Sequence, residues 1–209
     1  MTTSVQTRMT LLGSPMVWSP THNTVDTVGM KFKNEWTLES TEMSLTLRAV
    51  TIEDSYLLKN WDLDEDVGYS GGDDDSYDWD YELPRNVDWR EFLIAEVDAV
   101  PIGMIVLIDA LREESHYWGQ DAPVDSWAID IWIGGQEHRS KGFGSSMMKQ
   151  ALQRCFADHG ASSVLIDPLQ TNHRAIEFYR RVGFKEVGPR RFGSDDCLVM
   201  SITHDVFEN

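Results

Sequence analysis

The sequence predicts a mixed α/β fold, a sheet with helices on its faces, from three observations. Apolar runs of strand length recur along the chain. Two of them, residues 127–133 and 162–167, are each followed by an amphipathic run of helix length. A loop bearing small residues, Arg139-Ser140-Lys141-Gly142-Phe143-Gly144, joins the first of those strands to the first of those helices.

In chain order, residues 1–43 have no sustained period and mix Thr, Ser, Pro and Gly with scattered apolar residues. They read as an appendage outside the core fold, either disordered or laid on the body or on a second subunit through Trp18 and Trp36. The folded domain is expected over 44–209. Residues 44–50 alternate at period two as a strand does. Thr51 stands three before Asp54 as a helix cap, ahead of a short amphipathic helix through Tyr56, Leu57, Leu58 and Trp61. From Asp62 to Glu82 acids and aromatics interleave with no Lys or Arg. Residues 92–97 and 102–109 read as an antiparallel hairpin around Asp98-Ala99-Val100-Pro101. A polar stretch with Tyr117 and Trp118 precedes strand 127–133. The helix expected from Ser145 to His159 turns Met147, Met148, Ala151, Leu152, Cys155 and Phe156 to one face and stops at Gly160. Strand 162–167 ends at Pro168, and a second helix is expected from Asn172 to Val182, closed by Gly183. Residues 184–187 and 198–203 read as closing strands around a Gly-Pro-Arg-Arg and Gly-Ser-Asp-Asp turn region.

Composition narrows the function classes. The chain of 209 residues has a formal charge of −17 and a pI near 4.6, which argues against nucleic-acid phosphate and anionic membrane partners and favours a cationic one. Two cysteines, Cys155 and Cys197, make no disulfide framework, and no His spacing fits a metal site. No apolar run reaches the ~20 residues that span a bilayer, and the first residues lack a secretory pattern, so a cytoplasmic protein is expected.

Strand, glycine-bearing loop and helix form an anion site, because the first N–H groups of a helix lack partners and the dipole favours negative charge there. The loop lacks the Lys-Ser/Thr ending of a P-loop and the third glycine of a dinucleotide fold. Arg139-x-x-Gly142-x-Gly144 resembles the pyrophosphate loop of the GCN5-related N-acetyltransferase (GNAT) superfamily. About thirty residues on, Asn172-x-x-Ala175-x-x-x-Tyr179-x-x-x-Gly183-Phe184 resembles its second acetyl-CoA motif. Within the superfamily the chain is most similar to the aminoglycoside 6′-N-acetyltransferases. The shared stretches are Leu45-Thr46-Leu47-Arg48, Val100-Pro101-Ile102-Gly103, Ala128-Ile129-Asp130, and Asp167-Pro168 leading to Asn172-His173-Arg174-Ala175-Ile176. The acidic segment 62–82 is longer and more acidic than that family's pattern.

The resemblance implies a central, mostly antiparallel sheet flanked by helices and an acetyl-CoA cofactor. It implies that His138, Arg139, Ser140, Lys141, Gly142, Phe143, Gly144 and Ser145 hold the pyrophosphate. Ile131, Trp132 and Ile133 would pair with pantetheine, with Asn172 and Ala175 beside it, and Tyr179 would protonate the departing thiolate. Asp130, an acid inside an apolar strand, is the candidate base or amine anchor, since burying an unpaired carboxylate is costly. A structural partner for Asp130, a core role for Tyr179 and an N-cap role for Asn172 stay open beside these. Asp62, Asp64, Asp66, Asp78, Trp79 and Asp80, with Asp130 and Asp167, are candidates for a cationic substrate. Each carboxylate near an ammonium is worth ~1 kcal/mol in water and ~4 kcal/mol at an effective dielectric of 20. The reading is an aminoglycoside N-acetyltransferase conferring resistance, monomeric or homodimeric. The alternatives are a lysine/siderophore-type, protein or polyamine N-acyltransferase, or a non-enzymatic acyl-CoA sensor.

Overall fold

The computed structural model describes residues 44–64, 77–120 and 122–207. The expected appendage, with its boundary near 43, lies outside the described residues, as does Asp66. The elements are β1 (Leu45–Ala49), α1 (Ser55–Asp62), α2 (Trp79–Glu82), β2 (Arg90–Val97), β3 (Val100–Asp109), β4 (Ser126–Ile133), α3 (Phe143–Ala157), β5 (Ser163–Ile166), α4 (His173–Val182), β6 (Lys185–Phe192), β7 (Asp195–Thr203) and α5 (His204–Phe207).

One seven-stranded sheet runs in the order β1-β2-β3-β4-β5-β7-β6. Every pairing is antiparallel except β4 with β5, the pair that α3 connects. Strand alternation fills both faces of the sheet. Leu93, Ala95, Ile105 and Leu107 join the core under α3 and α4, while Ile94, Met104 and Val106 join Leu58, Trp61 and Trp79 on the other face. The expected apolar face of α3 is buried, Cys155 included, and burial raises that thiol far above its ordinary pKa. Cys155 is therefore a packing residue.

Local chemistry sets the boundaries. The Thr51 N–H donates to Asp54 Oδ2 at 2.8 Å, the expected cap ahead of α1. The β2–β3 turn is only Asp98-Ala99, with φ of 51° and 61°, so β3 starts at Val100 rather than Ile102. The closing strands are also longer than expected. Gly188-Pro189-Arg190-Arg191 lies inside β6, and the turn is confined to Gly193-Ser194. Proline is tolerated there because β6 is an edge strand. The acidic segment contains α2, capped by Asp78, whose side chain accepts from the Tyr81 N–H.

Placement of the site follows from one mismatch of strand length. On one side β4 pairs with β3 from Trp127 to Ile133; on the other it pairs with β5 only from Ser126 to Ala128. Beyond Ala128 the parallel pair ends, and Ile129–Ile133 keep one edge without a strand partner among the described residues.

Candidate active site

A cavity of about 550 Å³ occupies that divergence. Its walls are the C-terminal half of β4, the chain following β5, the loop before α3 and one face of α4.

The loop side is built for an anion. Gly142 is left-handed (φ 87°), and a Cβ there would meet nothing within 4 Å, so the backbone lies open to a ligand. Ser145 and Ser146 donate their N–H groups to Gly142 O. Those of Ser140 through Gly144 donate to no backbone carbonyl among the described residues. Arg139 stretches back to Ile133 O at 3.3 Å and pairs with Asp64 at 2.7 Å, which ties the loop to both β4 and the end of α1. Arg174 reaches Ser140 Oγ at 3.2 Å, and Arg139, Arg174 and Arg181 all line the cavity. Asn172 caps α4, its Oδ1 accepting from the Ala175 N–H at 3.1 Å; both residues also line the cavity.

The opposite side is acidic, with Asp62, Asp130, Asp167 and Asp195 in the lining. The Tyr77 phenol donates to Asp130 Oδ2 at 2.9 Å, and burial raises the Asp130 pKa against that bond. The Tyr117 phenol donates to Asp167 Oδ2 at 2.6 Å. Burial pushes Asp167 up to about 6; the Tyr117 bond opposes the rise and the nearby Asp130 charge adds to it. Burial likewise raises Asp62, against the bond from Trp79 Nε1 at 2.6 Å. Tyr179 lies on the cavity face of α4, where burial first, then Asp130 and Asp167, raise its pKa. It stays a protonated phenol at neutral pH.

Of the residues singled out by sequence, Asp62, Asp130, Ile131, Trp132, Ile133, Arg139, Ser140, Gly142, Gly144, Ser145, Asp167, Asn172, Ala175 and Tyr179 line this one cavity. Others do not. Asp80 is exposed and pairs with Lys59 at 2.6 Å. Trp79 is buried on the α1 face of the sheet and stands behind the lining, against Asp62, Tyr77 and Trp132. Asp64 is engaged by Arg139, His138 by Glu137 at 3.4 Å, and Phe143 packs into the core. Lys141 and Asp78 also lie outside the lining. Sequence reasoning passed over Tyr77, Tyr117, Phe178, Arg174, Arg181 and Asp195, all lining residues. Tyr77 and Tyr117 carried one signal, as aromatics set in polar or acidic stretches with no apolar period to bury them.

A family model described as Acetyltransferase (GNAT) domain matches residues 51–192. The chain belongs to the GNAT acetyltransferase family. This GNAT chain is 25% identical to aminoglycoside N(6′)-acetyltransferase type 1 of Klebsiella pneumoniae over 115 residues, 55% of this chain and 57% of that protein. It thus spans little more than half the length of that relative. Among solved structures, aminoglycoside acetyltransferase AAC(6′)-Ib in complex with coenzyme A superposes with a TM-score of 0.71 at 24% identity, covering 79% of this chain and 98% of that one. Spermidine N-acetyltransferase from Vibrio cholerae, in complex with CoA and spermine, gives 0.65 at 21% identity over 79% and 98%. At these identities the structural likeness concerns the fold. No helix among the described residues is long and apolar enough to cross a membrane.

Proposed function

We propose that this GNAT chain is an acetyl-CoA-dependent N-acetyltransferase that acts on an amino group of an aminoglycoside, the 6′-amine by similarity to its named relatives. One observation carries the reading: a single cavity joins an open-backbone, arginine-bearing loop to a cluster of carboxylates, with the Tyr179 phenol between two of them electrostatically.

The chain's own residues fit the coenzyme. The N–H groups from Ser140 to Gly144, which donate to no backbone carbonyl among the described residues, suit a diphosphate together with Arg139 and Arg174. The edge of β4 beyond Ala128, unpaired among the described residues, suits an amide-bearing pantetheine arm added as a strand. Bound there, the coenzyme supplies an activated acetyl thioester. Asp130 holds the acceptor ammonium and takes its proton, directly or through water, freeing the nitrogen lone pair for attack. As the new N–C bond forms and the C–S bond breaks, Tyr179 gives its phenolic proton to the departing sulfur, and the second proton shed by the nitrogen as it becomes an amide restores the phenol. Asp62, Asp167 and Asp195 hold the acceptor's remaining ammonium groups.

The test follows free thiol release from acetyl-CoA with kanamycin, tobramycin, spermidine, a lysine analogue and a basic peptide. Turnover on the aminoglycosides, and a raised kanamycin tolerance in cells expressing the chain, is the expected result. Preference for spermidine or lysine would reassign the acceptor, and no turnover with any amine would leave an acyl-CoA sensor.

A further inference from the structure

Five carboxylates of this molecule form two sets according to what holds them. Away from the cavity, guanidinium groups clasp both oxygens of Asp54 and of Glu91. Arg48 reaches Asp54 Oδ2 at 2.7 Å and Oδ1 at 2.8 Å, and Arg154 reaches Glu91 Oε2 at 2.6 Å and Oε1 at 2.5 Å. At the cavity, a neutral aromatic donor holds one oxygen. Tyr77 holds Asp130, Tyr117 holds Asp167, and the Trp79 indole holds Asp62. The two sets titrate in opposite directions, Asp54 and Glu91 downward, Asp62, Asp130 and Asp167 upward.

We propose that Tyr77 and Tyr117 are positioning residues of the acceptor site, each tethering one oxygen of its aspartate and leaving the other to receive a substrate ammonium. This rests on the transferase reading given above. Neither Asp130 Oδ1 nor Asp167 Oδ1 accepts a hydrogen bond from another residue among the described ones, and neither is among the buried side-chain atoms that lack a partner. Each therefore retains contact with the cavity. An arginine in place of either phenol would occupy both oxygens and cancel the charge that draws the acceptor. A phenol gives one hydrogen bond and no charge.

Both rings are fixed by packing. Tyr77 stacks on Trp79 with centroids 5.0 Å apart and meets Phe92 edge-on at 5.5 Å. Tyr117 lies flat on Phe192 at 4.3 Å and 6°. The other groups facing Asp167 are the Asp130 carboxylate, the Arg190 guanidinium and its own backbone N–H; Tyr179 faces both aspartates. Loss of a phenol thus removes a donor that favours the ionised form and leaves burial and like charge in place.

Tyr117→Phe and Tyr77→Phe keep the rings and their stacking, so the fold is preserved. Carboxyl titration by carbon-13 NMR, on full-length protein without acceptor, reads the effect directly. Signals are assigned by their loss in Asp167→Asn and Asp130→Asn. The midpoint of the tethered aspartate rises by about one unit in the matching variant. With acceptor, the acid limb of kcat/KM for Tyr117→Phe moves up by the same amount, coenzyme A affinity is unchanged, and the rate recovers above the limb. Unmoved midpoints in both variants, or a loss of rate equal at every pH, overturn the proposal. If the wild-type chain acetylates no amine, the transferase reading fails, and the NMR midpoints still decide this one.

Discussion

The guanidinium of Arg139 lies 2.7 Å from the carboxylate of Asp64 through Nη2, while Nε and Nη2 both reach Ile133 O at 3.3 Å. A residue expected from sequence as a ligand to pyrophosphate thus also braces the loop from behind, with its side chain largely buried. Arg139→Ala should weaken coenzyme A binding about tenfold, or about 1.4 kcal/mol. Asp64→Asn should weaken it less, since the amide still accepts a hydrogen bond. Isothermal titration with coenzyme A measures both, and unchanged affinity in Arg139→Ala would show that the loop keeps its shape unaided.

Asp130 and Tyr179 are predicted to act on the reaction rather than on cofactor binding. Asp130→Asn should lower kcat by about 10²–10⁴, the usual span for a general base, with coenzyme A affinity nearly unchanged. Tyr179→Phe should slow thiol release while aminoglycoside binding persists. Because the Tyr179 phenol titrates above its ordinary ~10, it contributes no basic limb to the rate below that pH. Full activity in Tyr179→Phe would mean that another group protonates the thiolate.

Asp167 is predicted to trade stability for binding of the acceptor. Its folded pKa of about 6 exceeds the unfolded carboxylate value of ~3.9, so the native state binds more protons between those pH values. Stability from this group is full below about pH 4, falls as pH rises toward 6, and stays low above, a loss of roughly 3 kcal/mol at most. Asp167→Asn should therefore raise the thermal midpoint at pH 7 by a few degrees, leave it unchanged near pH 4, and weaken the acceptor. Melting curves at both pH values check the sign.

Two glycines should respond differently to alanine. At Gly142 the added Cβ meets no atom within 4 Å, but φ is 87°, so Gly142→Ala costs about 1–2 kcal/mol of backbone strain in the very loop that carries the open N–H groups. At Gly134 the Cβ would lie 2.1 Å from the Trp61 indole, so Gly134→Ala displaces a core ring and costs about 1–3 kcal/mol through overpacking. Gly142→Ala should lose coenzyme A affinity beyond its loss of stability, whereas Gly134→Ala should lose mainly stability. Denaturant unfolding and coenzyme A titration on the same samples separate them.

Much of the architecture was legible from local pattern. Trp127 to Ile133 could only be a strand, and the spacing from Met147 to Phe156 could only present one helical face. Boundaries were misread where tertiary context relaxed a local rule. Pro189 is admitted because β6 is an edge strand, and the turn between β2 and β3 shrinks to two residues because Asp98 and Ala99 adopt positive φ. Trp79 and Asp80 were grouped with the substrate acids by composition alone, yet one fills a core and the other pairs with Lys59.

The sequence by itself determined the mixed sheet, the glycine-bearing loop between β4 and α3, and the carboxylate at Asp130, because each is a matter of neighbours along the chain. Only the tertiary structure decided which acids meet the cavity and what holds them. Tyr77 reaches Asp130 across 53 positions and Tyr117 reaches Asp167 across 50, and no local periodicity encodes a contact at that separation. Tyr77 meets Asp130 on the sheet face where it packs against Trp79 and Phe92, and Tyr117 meets Asp167 where it lies on Phe192, so both contacts follow from packing between segments far apart in the chain.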